Sequence, residues 1–145
     1  MRYLGVDLGE RRIGLALSDP MGIVAKPLGV VDRARSRDAI QAVAETARER
    51  GVDAVVVGLP RHMNGGEGAG AEKARAFARA LGETLGAEVH LQDERLSTVA
   101  AERVLIERRV RREKRRNMVD PTAAAIILQG YLDAHRESSP GNGQG

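Results

Sequence analysis

Residues 3 to 18 read YLGVDLGERRIGLALS, and the rest of the chain is organised around this stretch. It predicts two β-strands, about 3–8 and 13–18, joined by a short turn that contains glycine. Residues on both parities of the first strand are apolar, which is typical of a strand covered on both faces. Asp7 stands inside that strand, where a carboxylate is costly unless a positive group meets it. We therefore interpret Asp7 as a candidate metal ligand.

The composition is that of one globular domain. The chain has 145 residues, and we predict a single domain over residues 1–135 followed by a disordered, polar tail over 136–145. It has no cysteine, which excludes disulfides, thiolate metal sites and cysteine nucleophiles. No signal-peptide pattern is present, and no apolar run approaches the roughly 18–20 residues that span a bilayer. We expect a cytoplasmic protein with no membrane partner.

Positive charge is concentrated in one block. Residues 101–116 contain eight Lys or Arg and three Glu, whereas the net charge of the whole chain is only +3. A block of this kind suits a phosphate backbone, although a solvated loop would have the same composition. With Arg12 and Arg95, it supplies the candidate nucleic-acid-binding residues Arg108, Arg109, Arg111, Arg112, Lys114, Arg115 and Arg116.

The remaining elements follow from periodicity and turn residues. A third strand over 24–31 contains Pro27, which favours an edge position. Apolar spacing then predicts a helix over 37–50 capped by Ser36, a buried strand over 52–59, a helix over 71–85 and a strand over 88–93. A further helix starts near residue 97 or 98, and the last spans 121–135. Right-handed crossovers give an α/β fold with a five-stranded mixed sheet, order 3-2-1-4-5, and helices on both faces.

Further carboxylates are placed where they could join Asp7. Asp93 and Glu94 end the fifth strand, which runs parallel to the first, and ligand sites lie off the carboxyl ends of parallel strands. Asp120 precedes the last helix on its inward face, where it is also a good N-cap before Pro121. Three such carboxylates would suit Mg²⁺ or Mn²⁺, which prefer oxygen ligands. A solvated acidic turn and a simple helix cap are the alternative interpretations.

Five motifs in this order carry a family resemblance. They are GVDLG at 5–9, RRIG at 11–14, VVGLP at 56–60, DERLST at 93–98 and DPTAA at 120–124. Over about residues 2–133 the chain resembles the YqgF (RuvX-like) family. The resemblance implies an RNase H-like fold and a nuclease assigned to trimming the 5′ end of the 16S rRNA precursor, earlier described as a Holliday-junction resolvase. It also implies Asp7, one or both of Asp93 and Glu94, and Asp120 as the acids.

One departure concerns the end of the fourth strand. Related nucleases often place an acid there, but this chain has Gly58-Leu59-Pro60. The fifth strand lies two strands from the first, roughly 9–10 Å away at normal sheet spacing. Glu94 reaches further than Asp93, and the two point to opposite faces if the strand continues. We therefore favour Asp7, Glu94 and Asp120 as catalytic metal ligands, with Asp93 as the alternative to Glu94.

These features predict a divalent-metal-dependent nuclease that hydrolyses phosphodiester bonds in the rRNA precursor during ribosome biogenesis. Ribosomal particles are then potential partners. Two alternatives stay open at this point: a resolvase of branched DNA, and a non-catalytic nucleic-acid-binding factor for ribosome assembly. The sequence does not indicate an oligomeric state.

Overall fold

The computed structural model describes residues 1–34, 38–59, 68–93 and 121–137. These residues form five strands and three helices. The strands are β1 (Tyr3–Leu8), β2 (Arg12–Ser18), β3 (Ala25–Asp32), β4 (Ala54–Leu59) and β5 (Glu88–Asp93), and the helices are α1 (Ala39–Glu49), α2 (Ala69–Leu85) and α3 (Pro121–Glu137). The predicted helix near residue 97 and the basic block of residues 101–116 lie outside the described residues, as does the tail from residue 138.

The strands form one mixed sheet in the predicted order, β3-β2-β1-β4-β5. β1 pairs antiparallel with β2 and parallel with β4, and β4 pairs parallel with β5. Every residue of β4 is buried, as expected for an apolar, β-branched run between two strands and under helices on both sides. β3, which contains Pro27, is an edge strand, and this confirms the position that the proline indicated.

A hydrophobic core lies on each face of the sheet. Leu4 and Val6 of β1 pack on one face with residues of α1 and α2. On the other face, Ala16 of β2 and Val56 of β4 pack with α3. The sheet therefore has α1 and α2 on one face and α3 on the other, which confirms the prediction of helices on both faces. Among the helices described, none is both long enough and apolar enough to cross a membrane.

The start of α1 and the end of α3 differ from the predicted bounds. The N-cap of α1 is Asp38, whose side chain accepts hydrogen bonds from the backbone N–H groups of Ile40 and Gln41, so the prediction of Ser36 was wrong. Ser and Asp cap equally well, and the helix takes the one next to its first apolar turn. α3 continues two residues beyond the predicted end of the domain, to Glu137.

The turn between β2 and β3 is organised by one carboxylate. Asp19 accepts hydrogen bonds from the backbone N–H groups of Met21 (3.1 Å), Ile23 (2.7 Å) and Val24 (2.7 Å). The bond from Val24, supported by those from Ile23 and Met21 and opposed by desolvation, holds the pKa of the Asp19 carboxyl below its ordinary value of 3.8. The ionised form therefore stabilises the folded state.

This gives a pH-dependent prediction for Asp19→Asn. Because the folded-state pKa is lowered, the stabilisation is present above the ordinary pKa of 3.8 and is lost as the pH falls through the lower folded value. We expect the variant to melt at a lower temperature than the parent at about pH 7, with the difference disappearing in strong acid. Thermal melts at a series of pH values measure this, and equal melting temperatures at neutral pH would contradict it.

Candidate active site

Asp7 is the centre of the candidate site, and the strand alternation fixes its direction. Leu4 and Val6 face α1 and α2, while a Cβ on Gly5 would lie 2.8 Å from the Cβ of Leu128 in α3. Asp7 shares the parity of Gly5, so its side chain lies on the α3 face. The residue is only 6% exposed, and its Oδ2 atom is buried. A carboxylate with so little access to water is costly in free energy unless its surroundings compensate for its charge.

The strands beside Asp7 contribute glycines at its level. Asp7 pairs with Gly14 of β2. On the other side, Val6 pairs with Val57 of β4, and Gly58 is the next residue. Neither glycine adds a side chain next to the carboxylate. Related nucleases often have an acid at the position of Gly58. In this protein, that position lies beside Asp7 and has no side chain.

Gln92 completes this row across the sheet. It pairs with Gly58, is 7% exposed, and lies between Leu91, which packs towards α1 and α2, and Asp93. The alternation along β5 therefore places Gln92 on the face of Asp7, two strands away. The sequence analysis missed this residue, although the alternation of Val89 and Leu91 with His90 and Gln92 could have indicated it.

Asp93 lies on the other face of the sheet. It ends β5 with the parity of Val89 and Leu91, which pack towards α1 and α2. Asp7 and Asp93 thus lie at the carboxyl ends of two parallel strands, at the same end of the sheet but on opposite faces. Glu94, Asp120 and Arg95 lie outside the described residues, as do the basic residues from Arg108 to Arg116.

Ring contacts of Tyr131 hold α3 over the sheet. Tyr131 lies against Tyr3, with ring centroids 5.6 Å apart, and stacks with His90 at 5.4 Å. Burial, reinforced by Tyr3 and Glu88, raises the pKa of Tyr131, so this tyrosine stays neutral. Tyr3 contacts Tyr131, whereas Gly5, which is further along β1, lies against Leu128, which is earlier in α3. The helix is therefore antiparallel to β1, and its N-terminus lies towards Asp7.

The side of α3 that faces β3 is held by Gln129. Its amide oxygen accepts a hydrogen bond from the backbone N–H of Ala25 (2.8 Å), and its amide nitrogen donates one to the carbonyl of Ile23 (2.9 Å). These bonds tie the middle of α3 to the start of β3. The partial positive charge at the N-terminus of the helix is thereby held at the end of the sheet where Asp7 lies.

Arg12 is the predicted nucleic-acid-binding residue that the structure describes. It begins β2 with the parity of Gly14 and Ala16, and Ala16 packs with α3. Arg12 therefore lies on the face of Asp7, two residues along β2 from Gly14, or about 7 Å at the usual strand rise. The structure thus puts Asp7 and this predicted nucleic-acid-binding residue on the same face of the sheet.

The donor chemistry at Asp7 fits a hard divalent cation in part. A buried carboxylate flanked by glycines offers an oxygen ligand with no side chain on either neighbouring strand in its way. Within the described parts of the chain, no three His, Asp or Glu side chains come together as a metal site. The described residues therefore offer one candidate ligand, Asp7, with a glycine beside it on each neighbouring strand.

Comparison with known proteins decides the family. The family model "RuvX: Holliday junction resolvase" matches residues 1–134. The chain belongs to the RuvX family. This confirms the resemblance that the motifs carried and the predicted class of enzyme, a nuclease.

Curated RuvX relatives match over nearly their whole length. A protein of Moorella thermoacetica is 50% identical over 133 residues, covering 92% of this chain and 95% of the relative. One of Anaeromyxobacter sp. is 53% identical over 134 residues, covering 92% and 97%. Both are named "Putative pre-16S rRNA nuclease".

A solved structure confirms the RNase H-like fold. RuvC of T. thermophilus, in complex with a Holliday junction substrate, superposes with a TM-score of 0.63, covering 96% of this chain and 97% of that chain. The two sequences are 17% identical, so this similarity concerns the fold.

Proposed function

We propose that this RuvX-family protein is a divalent-metal-dependent nuclease that matures the 5′ end of the 16S rRNA precursor in the cytoplasm. The observation that carries the proposal is the buried carboxylate of Asp7, on the face of the sheet that α3 covers and towards the N-terminus of that helix. The names of the curated relatives support the substrate. Ribosomal particles that contain the precursor are the proposed partners.

Asp7, Glu94 and Asp120 would hold the Mg²⁺ or Mn²⁺. A bound divalent ion lowers the pKa of a water and stabilises the leaving oxygen of a phosphodiester. Asp120 directly precedes Pro121, and consecutive Cα atoms are about 3.8 Å apart, which supports a place for it near the N-terminus of α3. Asp7 would orient the ligand set from the sheet, and Arg12 would neutralise the phosphate beside it.

The choice between Glu94 and Asp93 rests on the faces of β5. Asp93 has the parity that points away from Asp7, which supports Glu94 as the ligand. We expect Glu94→Gln to lower the rate of cleavage by at least about 10-fold, and Asp93→Asn to leave it close to that of the parent protein. Single-turnover cleavage rates of the two variants measure this. The reverse pattern would make Asp93 the ligand.

The experiment that tests the function compares two substrates. Labelled RNA that carries the 5′ extension of the 16S precursor and a labelled four-way DNA junction are incubated with the purified protein in Mg²⁺, in Mn²⁺ and in EDTA. We expect the 5′ extension to be released from the RNA in either metal and not in EDTA. Products are resolved on a denaturing gel.

The description of the family model favours the second candidate, a Holliday-junction resolvase. Symmetric cuts in the junction, in preference to the RNA, would establish it. A non-catalytic assembly factor would instead bind both nucleic acids without cutting either, and its binding would depend on salt. That binding would be lost when the basic block is neutralised at Arg111, Arg112, Arg115 and Arg116.

A further inference from the structure

The turn between β1 and β2 is held by Arg33, the residue that directly follows β3. The Nη1 atom of Arg33 donates a hydrogen bond to the carbonyl of Gly9 (2.9 Å), and the backbone N–H of Arg33 donates to the carbonyl of Arg11 (2.7 Å). The N–H of Gly9 in turn donates to the carbonyl of Arg12 (2.9 Å). The end of β1, the turn and the residue after β3 are thus tied together.

These bonds tie the backbones of Arg11 and Arg12 and the guanidinium of Arg33 to the turn that follows Asp7. Gly9 is two residues beyond Asp7, so their Cα atoms are at most about 7.6 Å apart. The bond to the Gly9 carbonyl fixes one end of the Arg33 guanidinium there. Arg11 and Arg33 are exposed, while Arg12 is half-buried on the face of Asp7.

The acids nearby leave this cluster positive. Glu10 is exposed in the turn, and Asp32 is the cross-strand partner of Arg12. Asp32 also accepts a hydrogen bond from the backbone N–H of Ala34 (2.9 Å), so part of its charge is engaged in its own turn. Apart from Asp7 itself, whose charge a bound cation would offset, three arginines stand against two acids where a polyanion would approach.

We propose that Arg11, Arg12 and Arg33 form a phosphate-binding site on the hairpin side of Asp7, separate in sequence from the basic block. The inference rests on the proposed nuclease function and names a further contact with its nucleic-acid substrate. Arg33 has two roles in it. Nη1 positions the turn through Gly9, and the N–H groups on its other guanidinium nitrogens are directed to a backbone phosphate.

The test measures binding without cleavage. Affinity for fluorescent precursor RNA is measured by anisotropy in EDTA over a series of salt concentrations, for Arg33→Ala, Arg33→Lys and Arg11→Ala. The matched control is Arg48→Ala, because the Nη2 atom of exposed Arg48 also donates to a backbone carbonyl, that of Thr84 (2.8 Å), on the face of α1 and α2. Arg48→Ala therefore removes the same charge and the same kind of hydrogen bond.

We expect Arg33→Ala and Arg11→Ala each to weaken binding by about 2- to 5-fold. Each should also reduce the slope of log affinity against log salt by about one. Arg33→Lys should restore the slope, and Arg48→Ala should leave both quantities unchanged. A role in stability alone would lower the melting temperature of Arg33→Ala without changing the slope.

Two outcomes separate this inference from the proposed function. If the parent protein binds RNA and Arg33→Ala and Arg11→Ala behave as Arg48→Ala does, the hairpin-side site is overturned and the nuclease proposal stands. If the parent protein binds neither precursor RNA nor the DNA junction, the proposed function itself fails. Because only a backbone atom of Arg11 takes part in the bonds described above, Arg11→Ala keeps the test valid even if Arg33→Ala folds poorly.

Discussion

Asp7→Asn is expected to lower the rate of RNA cleavage by at least about 100-fold while the protein stays folded. Loss of groups that merely support a metal ligand costs about 10- to 100-fold, so loss of the ligand itself should cost no less. The asparagine has nearly the same shape as the aspartate but no negative charge with which to hold a cation. Single-turnover cleavage of the precursor RNA in Mg²⁺ and in Mn²⁺ measures the effect.

The stability of the same variant distinguishes a functional carboxylate from a structural one. Asp7 is 6% exposed, so neutralising it removes a buried charge. We expect the melting temperature of Asp7→Asn to equal or exceed that of the parent protein, because functional groups are commonly kept at a cost in stability. A large fall in melting temperature would mean that the carboxylate mainly holds the fold.

Asp53→Asn is the matched control. Asp53 precedes β4 at the opposite end of the sheet, is exposed, and accepts a hydrogen bond from the backbone N–H of Arg2 (2.8 Å). The change removes the same charge from the protein, and we expect it to leave cleavage intact. If Asp53→Asn and Asp7→Asn lowered the rate equally, the effect would follow net charge and not a site at Asp7.

The strand order and the place of Asp7 towards the carboxyl end of β1 could be predicted because both depend on local signals. Alternation along β1 and the crossovers through helices are local in sequence, and they placed Asp7 at the edge where parallel strands end. The same alternation along β5 indicated that Asp93 and its neighbour would face opposite ways. These predictions needed no knowledge of which side chains meet.

Contacts between distant segments could not be predicted in this way. The bond from Arg33 to the Gly9 carbonyl joins residues 24 positions apart, and no periodicity relates them. Gln129, whose amide joins α3 to the start of β3 more than 100 residues away, reads in the sequence as an ordinary polar residue of a helix. The cap of α1 at Asp38 was missed for another reason, since several residues before that helix have equal capping tendency.

Gly5 illustrates such a hidden contact, and Gly5→Ala is expected to be the most destabilising of the substitutions considered. A Cβ at this position would lie 2.8 Å from the Cβ of Leu128 and 3.0 Å from the backbone oxygen of Ala124. Neither atom can rotate away, because one is the first carbon of a side chain and the other belongs to the helix backbone. Overpacking of this kind costs about 3 kcal/mol, or a fall of roughly 10 °C in melting temperature.

Gly29→Ala provides the control within the same sheet. A Cβ on Gly29, in β3, would meet nothing within 4 Å, and the residue has no positive φ, so alanine fits there. We expect its melting temperature to be unchanged or slightly raised, because alanine restricts the unfolded chain more than glycine does. Equal melting temperatures for Gly5→Ala and Gly29→Ala would mean that α3 does not pack closely against Gly5.

The effect of Gly5→Ala should reach catalysis as well as stability. To accommodate the methyl group, α3 and β1 must move apart, and this would carry the N-terminus of the helix away from Asp7. At a temperature where the variant is still folded, we expect cleavage to fall while RNA binding in EDTA is retained, since the arginines at positions 11, 12 and 33 lie on the hairpin side. Full activity in the folded variant would show that the distance between α3 and Asp7 does not matter, and would argue against a metal ligand at the start of that helix.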